Sequence, residues 1–167
     1  NKTVSLIGEN RSHTVIDGSG EGTIVDIRAD DVIMGNFSIT NGSIGVSILR
    51  GHKNNALCGN IVTLNELGMG LSGKNLNVTN NIVNNNFWGI QVDGPNNRLR
   101  ENKMNDNQFN LITLKPYLPE YQISSFINDI DTSNKINGKS IYYLINKTNL
   151  VIDYSVHPDV GYLGLIG

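Results

Sequence analysis

The chain has one cysteine, four prolines and three histidines, and only 17% of its residues are charged. A single cysteine excludes both a disulfide framework and a thiolate metal cluster. Cys58, flanked by Ala56 and Leu57, reads as a small core residue. No apolar run reaches 18 residues, so no segment has the length and character of a membrane-spanning helix. The net charge is −2, with no basic stripe to hold nucleic acid and no acidic block to act as a solvating tail. Soft-metal donors are scattered: His13, His52 and His157 lie far apart, and Met34, Met69 and Met104 have apolar surroundings. A copper centre needs such donors in clusters. No leader segment is visible, because Asn1-Lys2-Thr3 runs straight into the alternation of Val4 and Leu6. A chain that begins inside a strand pattern reads as an excerpt of a longer one, and its start says nothing of localisation.

What the chain has in excess is asparagine, 26 residues of 167, together with 18 glycines, while 38% hydrophobic content is enough for a core. Composition alone leaves a low-complexity segment or a repeat fold. Spacing decides. Shifted against itself by 21 residues, the sequence aligns Leu57, Val78 and Leu99, and likewise Asn60, Asn81 and Asn102. Val62, Val83 and Met104 follow, then Asn65, Asn86 and Asn107, then Gly68, Gly89 and Asn110. The unit closes with Met69, Ile90 and Leu111, and Val25 and Val46 carry the theme upstream.

Within each unit the apolar residues alternate in runs of two to four, and Asn or Gly interrupts each run. That is the period of short strands and tight turns, not of a helix. Three strands per unit return the chain above its start, so the expected fold is all-β, a right-handed parallel β-helix. Identical residues then stack as ladders, with apolar columns inside and Asn60, Asn81, Asn102, Asn65, Asn86 and Asn107 bonded amide to amide. An antiparallel sandwich predicts strand spacings of 8–12 residues with hairpin turns, not aligned Asn columns.

Residues 1–114 are expected to form the coils. Lys115-Pro116-Tyr117-Leu118-Pro119 cannot continue a central strand, because proline gives no ladder donor. Asn137-Gly138, between Lys135-Ile136 and Ile141-Tyr142-Tyr143, is a strong hairpin signal. The expectation is therefore a loop and hairpin excursion over 115–157, with 158–167 starting a further, unfinished coil.

The run Leu6-Ile7-Gly8-Glu9-Asn10, followed by Thr14-Val15-Ile16-Asp17-Gly18, resembles opening coils of the pectin-lyase-like β-helix superfamily. More specifically, it resembles the NosD-like, carbohydrate-binding and sugar-hydrolase repeat proteins of archaeal cell surfaces. Residues 130–143, IDTSNKINGKSIYY, are similar to a hairpin insertion recurring in those proteins, with Ser140 where the pattern has proline. The resemblance implies an extracellular or cell-surface setting and one of three roles. The first is a non-catalytic module with a structural or glycan-interaction role. The second is a fragment of a polysaccharide lyase, hydrolase or epimerase, and the third a NosD-type copper accessory protein. It names polysaccharide or surface glycans and other surface-layer proteins as partners, while open strand edges predict end-to-end self-association.

Enzymes on such folds use clustered carboxylates on an outward strand face. With Val46 and Ile48 inward, Asp26, Ser47, Gly70, Gln91 and Ile112 form one outward row, with Leu49, Ser72, Asp93 and Leu114 beside it. Its carboxylates, Asp26 and Asp93, lie three coils apart, roughly 14 Å, against about 5–9.5 Å for a glycosidase pair. Asp30-Asp31 and His157-Pro158-Asp159 read as turns, and Gly51-His52-Lys53 only partly echoes a polygalacturonase motif. Asp17-Gly18-Ser19-Gly20-Glu21-Gly22 begins like a calcium loop, but Arg28 stands where the closing Glu belongs. No catalytic, cofactor or metal residue is assigned. The candidate glycan contacts are aromatic: Trp88, in a column with Leu67 and Phe109, and Tyr117, Tyr121, Tyr142 and Tyr143. Six N-x-[S/T] sequons, at Asn1, Asn10, Asn36, Asn41, Asn77 and Asn146, favour an extracellular setting.

Overall fold

A computed structural model describes residues 3–113 and 123–167. The first coil holds β1 (Val4–Ile7), β2 (Val15–Asp17) and β3 (Thr23–Ile27), and the second β4 (Val32–Gly35), β5 (Ser38–Thr40) and β6 (Ile44–Ile48). The third holds β7 (Ala56–Cys58), β8 (Ile61–Thr63) and β9 (Leu67–Leu71), and the fourth β10 (Asn77–Thr79), β11 (Ile82–Asn84) and β12 (Trp88–Val92). The fifth holds β13 (Arg98–Arg100), β14 (Lys103–Asn105) and β15 (Phe109–Ile112). A sixth adds β16 (Asp129–Ile130) and β17 (Lys135–Ile136), before the longer β18 (Lys139–Ile145) and β19 (Val160–Ile166).

Every third strand pairs in parallel with its equivalent one coil away, giving three sheets. Sheet A runs β1-β4-β7-β10-β13-β16, and sheet C runs β3-β6-β9-β12-β15. Sheet B runs β2-β5-β8-β11-β14-β17 and continues into β18 and β19. Register follows the repeat: Leu57 pairs with Val78, Val62 with Val83 and Met69 with Ile90. The apolar columns fill the interior, with Leu57, Val78, Leu99, Val62, Val83, Met104, Met69 and Ile90 all fully buried. This is the parallel β-helix the repeat predicts.

The corners divide the asparagines into two jobs. In coils two to five the residue just before the ladder position takes a left-handed backbone, as at Asn80 (φ 56°), Asn85 (φ 54°) and Gly59 (φ 66°), a conformation that Asn and Gly tolerate best. The next residue turns its amide into the interior. Asn81 Oδ1 accepts from both the backbone N–H and Nδ2 of Asn60, at 2.9 and 3.1 Å. Asn81 Nδ2 in turn donates to Asn102 Oδ1 at 3.0 Å, and Asn102 Nδ2 to Asn134 Oδ1 at 2.8 Å. Asn65, Asn86 and Asn107 form a second ladder of the same kind, with Nδ2–Oδ1 distances of 3.1 and 2.9 Å. These amides are buried, and each is satisfied by neighbours on the adjoining coils, as a polar group in a dry interior requires. Asn55, Asn97 and Asn128 mark a third such column, interrupted by Leu76.

Three features depart from the reading of the sequence. First, residues 129–136 are not an excursion: Arg98 pairs with Asp129 and Lys103 with Lys135, both in parallel. The period breaks because the corner between β15 and β16 is enlarged, which raises the Asn97-to-Asn128 separation to 31 residues. The ladder then resumes at Asn134. The hairpin at Asn137-Gly138 is present, pairing Ile136 with Lys139 antiparallel.

Second, β19 does not re-enter a coil. It pairs in parallel with β18, which itself runs antiparallel to the stack. Ile141 (fully buried) and Tyr143 (8% exposed) join the core cluster, with Ile145, Tyr162 and Ile166 packed against it. These strands extend sheet B alone; among the described residues β16 and β15 end sheets A and C, and at the first coil Val4, Leu6, Ile7 and Val15 are exposed. Third, Cys58 is half-buried rather than core. Leu57 takes the inward position, and strand alternation turns Cys58 outward over Gly35, whose Cβ would lie 2.7 Å from the Cys58 sulfur.

Candidate interaction faces

The outer face of sheet C owes its shape to a glycine column. A Cβ on Gly68 would sit 2.6 Å from the Gly89 carbonyl oxygen and 2.8 Å from Val83 Cγ1, so no side chain fits there. With this position and the next both inward, the flanking residues face out. One outward column is Ile44, Leu67, Trp88 and Phe109, and the other is Asp26, Ser47, Gly70, Gln91 and Ile112, in the expected register. Trp88 and Phe109 stack with centroids 4.4 Å apart and planes 19° from parallel. Phe87 packs edge-on against both, at 5.0 and 5.7 Å. A ring stacked along the axis spends its flat face on its neighbour. Trp88 is therefore only half-exposed, and the accessible ring surface belongs to Phe87 (49%) and Phe109 (44%). Phe109 was visible as a member of the column, and among the described residues β15 is the last strand of sheet C.

Beside the rings lies a polar strip. Gln91 Nε2 donates to Asp93 Oδ2 at 2.7 Å and Ser72 Oγ to the same oxygen at 3.3 Å. Asp26, three coils away, is paired with Arg28 at 2.7 Å. The carboxylates of this face do not meet.

On the outer face of sheet A the structure assembles a group that sequence reading missed. Arg100 binds Asp129 through Nη2 at 2.5 Å and Asp131 through Nε at 2.9 Å, while Arg98 approaches Asp129 at 3.9 Å. Arg100 Nη1 also donates to the Leu99 and Asp129 carbonyl oxygens. Ser133 donates to Asp131 from both its N–H and its hydroxyl. Charges cancel within the group, and the Arg100 guanidinium is shared out among four oxygens. This is the arrangement of a clamp that fastens coil six to coil five after the enlarged corner. The sequence holds Asp129 and Asp131 at i and i+2, inside the segment expected to leave the stack.

Of the tyrosines, Tyr143 turns inward and cannot meet a glycan: its hydroxyl donates to the Phe126 carbonyl at 2.6 Å, and burial pushes its pKa up to about 12. Tyr142 is half-buried, with its hydroxyl on the Pro158 carbonyl and its ring edge-on to His157 at 4.9 Å. Tyr117 and Tyr121 lie outside the described residues. Asp30 meets His52 at 3.5 Å across adjacent coils, and its Oδ1 also accepts the Lys53 N–H. The Asp17–Gly22 segment is a turn in which Asp17 accepts from the Ser19 N–H and Asn41 Nδ2. Among the described residues no three His, Cys, Asp or Glu side chains gather where a metal could sit, and no helix is long and apolar enough to cross a membrane.

Set beside protein-family models, curated proteins and solved structures, the chain matches none of them.

Proposed function

We propose that the chain is a non-catalytic β-helix module of a secreted or cell-surface protein of the NosD-like, pectin-lyase-like type, with a structural role and a glycan-contacting face on sheet C. The observation that carries this reading is the exposed aromatic pair Phe87 and Phe109, braced by Trp88 and adjoining Gln91, Asp93 and Ser72. Pyranose rings offer C–H groups to the negative face of an aromatic ring and hydroxyls to the amide and carboxylate beside it. Surface-layer proteins and copies meeting at the exposed first coil belong to the same proposal as partners. A glycan array followed by calorimetry tests it. Binding that falls at least tenfold in Phe87→Ala and Phe109→Ala supports the reading, and no binding by the wild type removes its glycan half.

The enzyme reading has one observation behind it, the Asp129–Arg100–Asp131 group, because two carboxylates within reach of one guanidinium are close enough to cooperate. Their full engagement with Arg100 and Ser133 favours the clamp instead. Release of reducing ends or unsaturated products from a polysaccharide panel, abolished in Asp129→Asn, would reverse that preference. The copper-accessory reading gains nothing from the buried positions of Met34, Met69 and Met104.

A further inference from the structure

The asparagines separate by what the side-chain nitrogen does. In the ladder columns, from Asn55 and Asn60 to Asn128 and Asn134, each Nδ2 donates to a carbonyl or amide oxygen. None of these ten has Ser or Thr two residues on. All six sequons fall among the other asparagines. Asn10, Asn36, Asn77 and Asn146 are exposed, and among the described residues no hydrogen bond occupies their Nδ2.

Asn77 is the best formed of the four. It opens β10 and, with Thr79, points outward from sheet A, since residues two apart share a strand face. The Thr79 hydroxyl donates to Asn77 Oδ1 at 3.0 Å, which holds the amide oxygen and leaves the nitrogen toward solvent. Asn10 is held the same way, its Oδ1 accepting the Ser12 N–H at 2.8 Å. Asn36 stands at the left-handed corner after β4 (φ 62°), its Oδ1 packed over Gly59 of the adjoining coil, where a Cβ would lie 2.9 Å away. Asn41 is the exception: half-buried, it donates Nδ2 to Asp17 Oδ2 at 3.2 Å. Asn1 lies outside the described residues.

We infer that Asn10, Asn36, Asn77 and Asn146 are acceptor sites for N-linked glycans. The co-reactants are a lipid-phosphate-linked oligosaccharide and its transferase. The amide nitrogen attacks C1 of the first sugar, and the C1–N bond forms as the C1–O bond to phosphate breaks. The lipid phosphate leaves, and one amide proton passes to a base of the transferase. The sites have a side. Three of the four lie on sheet A or the corner that follows it and the fourth beside the β18–β19 cap, while the outer face of sheet C carries none. Glycans would clothe one flank and leave the aromatic face bare. This rests on the extracellular setting proposed above.

The test is peptide mapping by mass spectrometry of the full chain secreted from a cell line that N-glycosylates, with and without enzymatic deglycosylation in ¹⁸O water. Occupancy at Asn77, Asn36, Asn10 and Asn146, lower occupancy at Asn41, and loss of one glycan mass in Asn77→Gln are expected. A folded, secreted chain bare at all four sites would overturn the assignment, as would occupancy at Asn41 matching that at Asn77. The same map on chain purified from its own cells separates the two premises. Glycans there support both. Bare chain there, with glycans in the cell line, sinks the extracellular setting and leaves the acceptor geometry standing.

Discussion

Asn81→Ala removes the centre of the longest amide ladder, and its cost follows from the bonds it breaks. Four hydrogen bonds go: two accepted from Asn60, one donated to the Leu57 carbonyl at 2.9 Å, and one donated to Asn102 at 3.0 Å. A net hydrogen bond contributes about 1 kcal/mol, and a buried donor left without a partner costs about 1–3 kcal/mol. The Asn60 N–H becomes such a donor, while Asn60 Nδ2 keeps the Met34 carbonyl at 3.3 Å and Asn102 Oδ1 keeps the residue 81 N–H at 3.1 Å. Three bonds at about 1 kcal/mol each and the orphaned donor sum to a loss of about 4–6 kcal/mol, a large part of the stability of an ordinary domain. Urea unfolding followed by circular dichroism measures it, with Asn105→Ala as the control: a strand residue on the outer face, expected to change stability by less than about 0.5 kcal/mol. A loss under about 1 kcal/mol in Asn81→Ala would refute the claim that buried amide ladders hold the coils in register.

Gly89→Ala should cost about 2 kcal/mol or more, because its Cβ would lie 2.4 Å from the Asn110 carbonyl oxygen; an unchanged urea midpoint would contradict the outward-facing strand geometry of sheet C. Leu64 occupies a left-handed position (φ 57°) that Asn41 and Asn85 fill on the adjoining coils, so Leu64→Asn should raise stability by about 1 kcal/mol, read as a higher melting temperature. Tyr143 has its pKa raised from 10.0 to about 12, so the native state holds that proton more tightly than the unfolded chain. The stability this contributes is complete below pH 10 and is lost as pH climbs toward 12. Tyr143→Phe should flatten that alkaline decline in the urea midpoint, and an equally steep decline in the variant would assign it to other groups.

The coils were legible because a solenoid repeats its constraints. Each apolar column and each ladder asparagine meets the same environment one coil later, so residue type recurs at a fixed interval from Leu57 to Leu111. The split between corner and ladder was half-visible in the doubled pairs Asn80-Asn81, Asn85-Asn86 and Asn96-Asn97, where the first residue bends the chain and the second bonds inward. Coil six was hidden because an enlarged corner shifts the interval from 21 to 31 residues, although Asn128 and Asn134 still occupy ladder positions. The cap has no period at all. It is held by contacts between different kinds of residue, such as the Thr113 and Tyr162 hydroxyls at 3.0 Å. The Arg100 group was lost with coil six, since its aspartates come within reach only once β16 lies beside β13.

The outer faces were less readable than the core, for a physical reason. A column constrains what points inward, while an outward residue is free to differ from coil to coil. Trp88 stood out as an aromatic in the column of Leu67 and Phe109, yet its stacking leaves Phe87 and Phe109 with the exposed surface. Tyr143 looked like its neighbour Tyr142 and turned out to seal the core.

The most direct test of the stacked-amide account is a ¹⁵N-edited NOESY spectrum of the 18.3 kDa chain, read at the asparagine side-chain amides. The account predicts contacts from Asn60 to Asn81, from Asn81 to Asn102 and from Asn102 to Asn134, with amide protons slow to exchange. Side-chain amides exchanging freely, without contacts between coils, would contradict it.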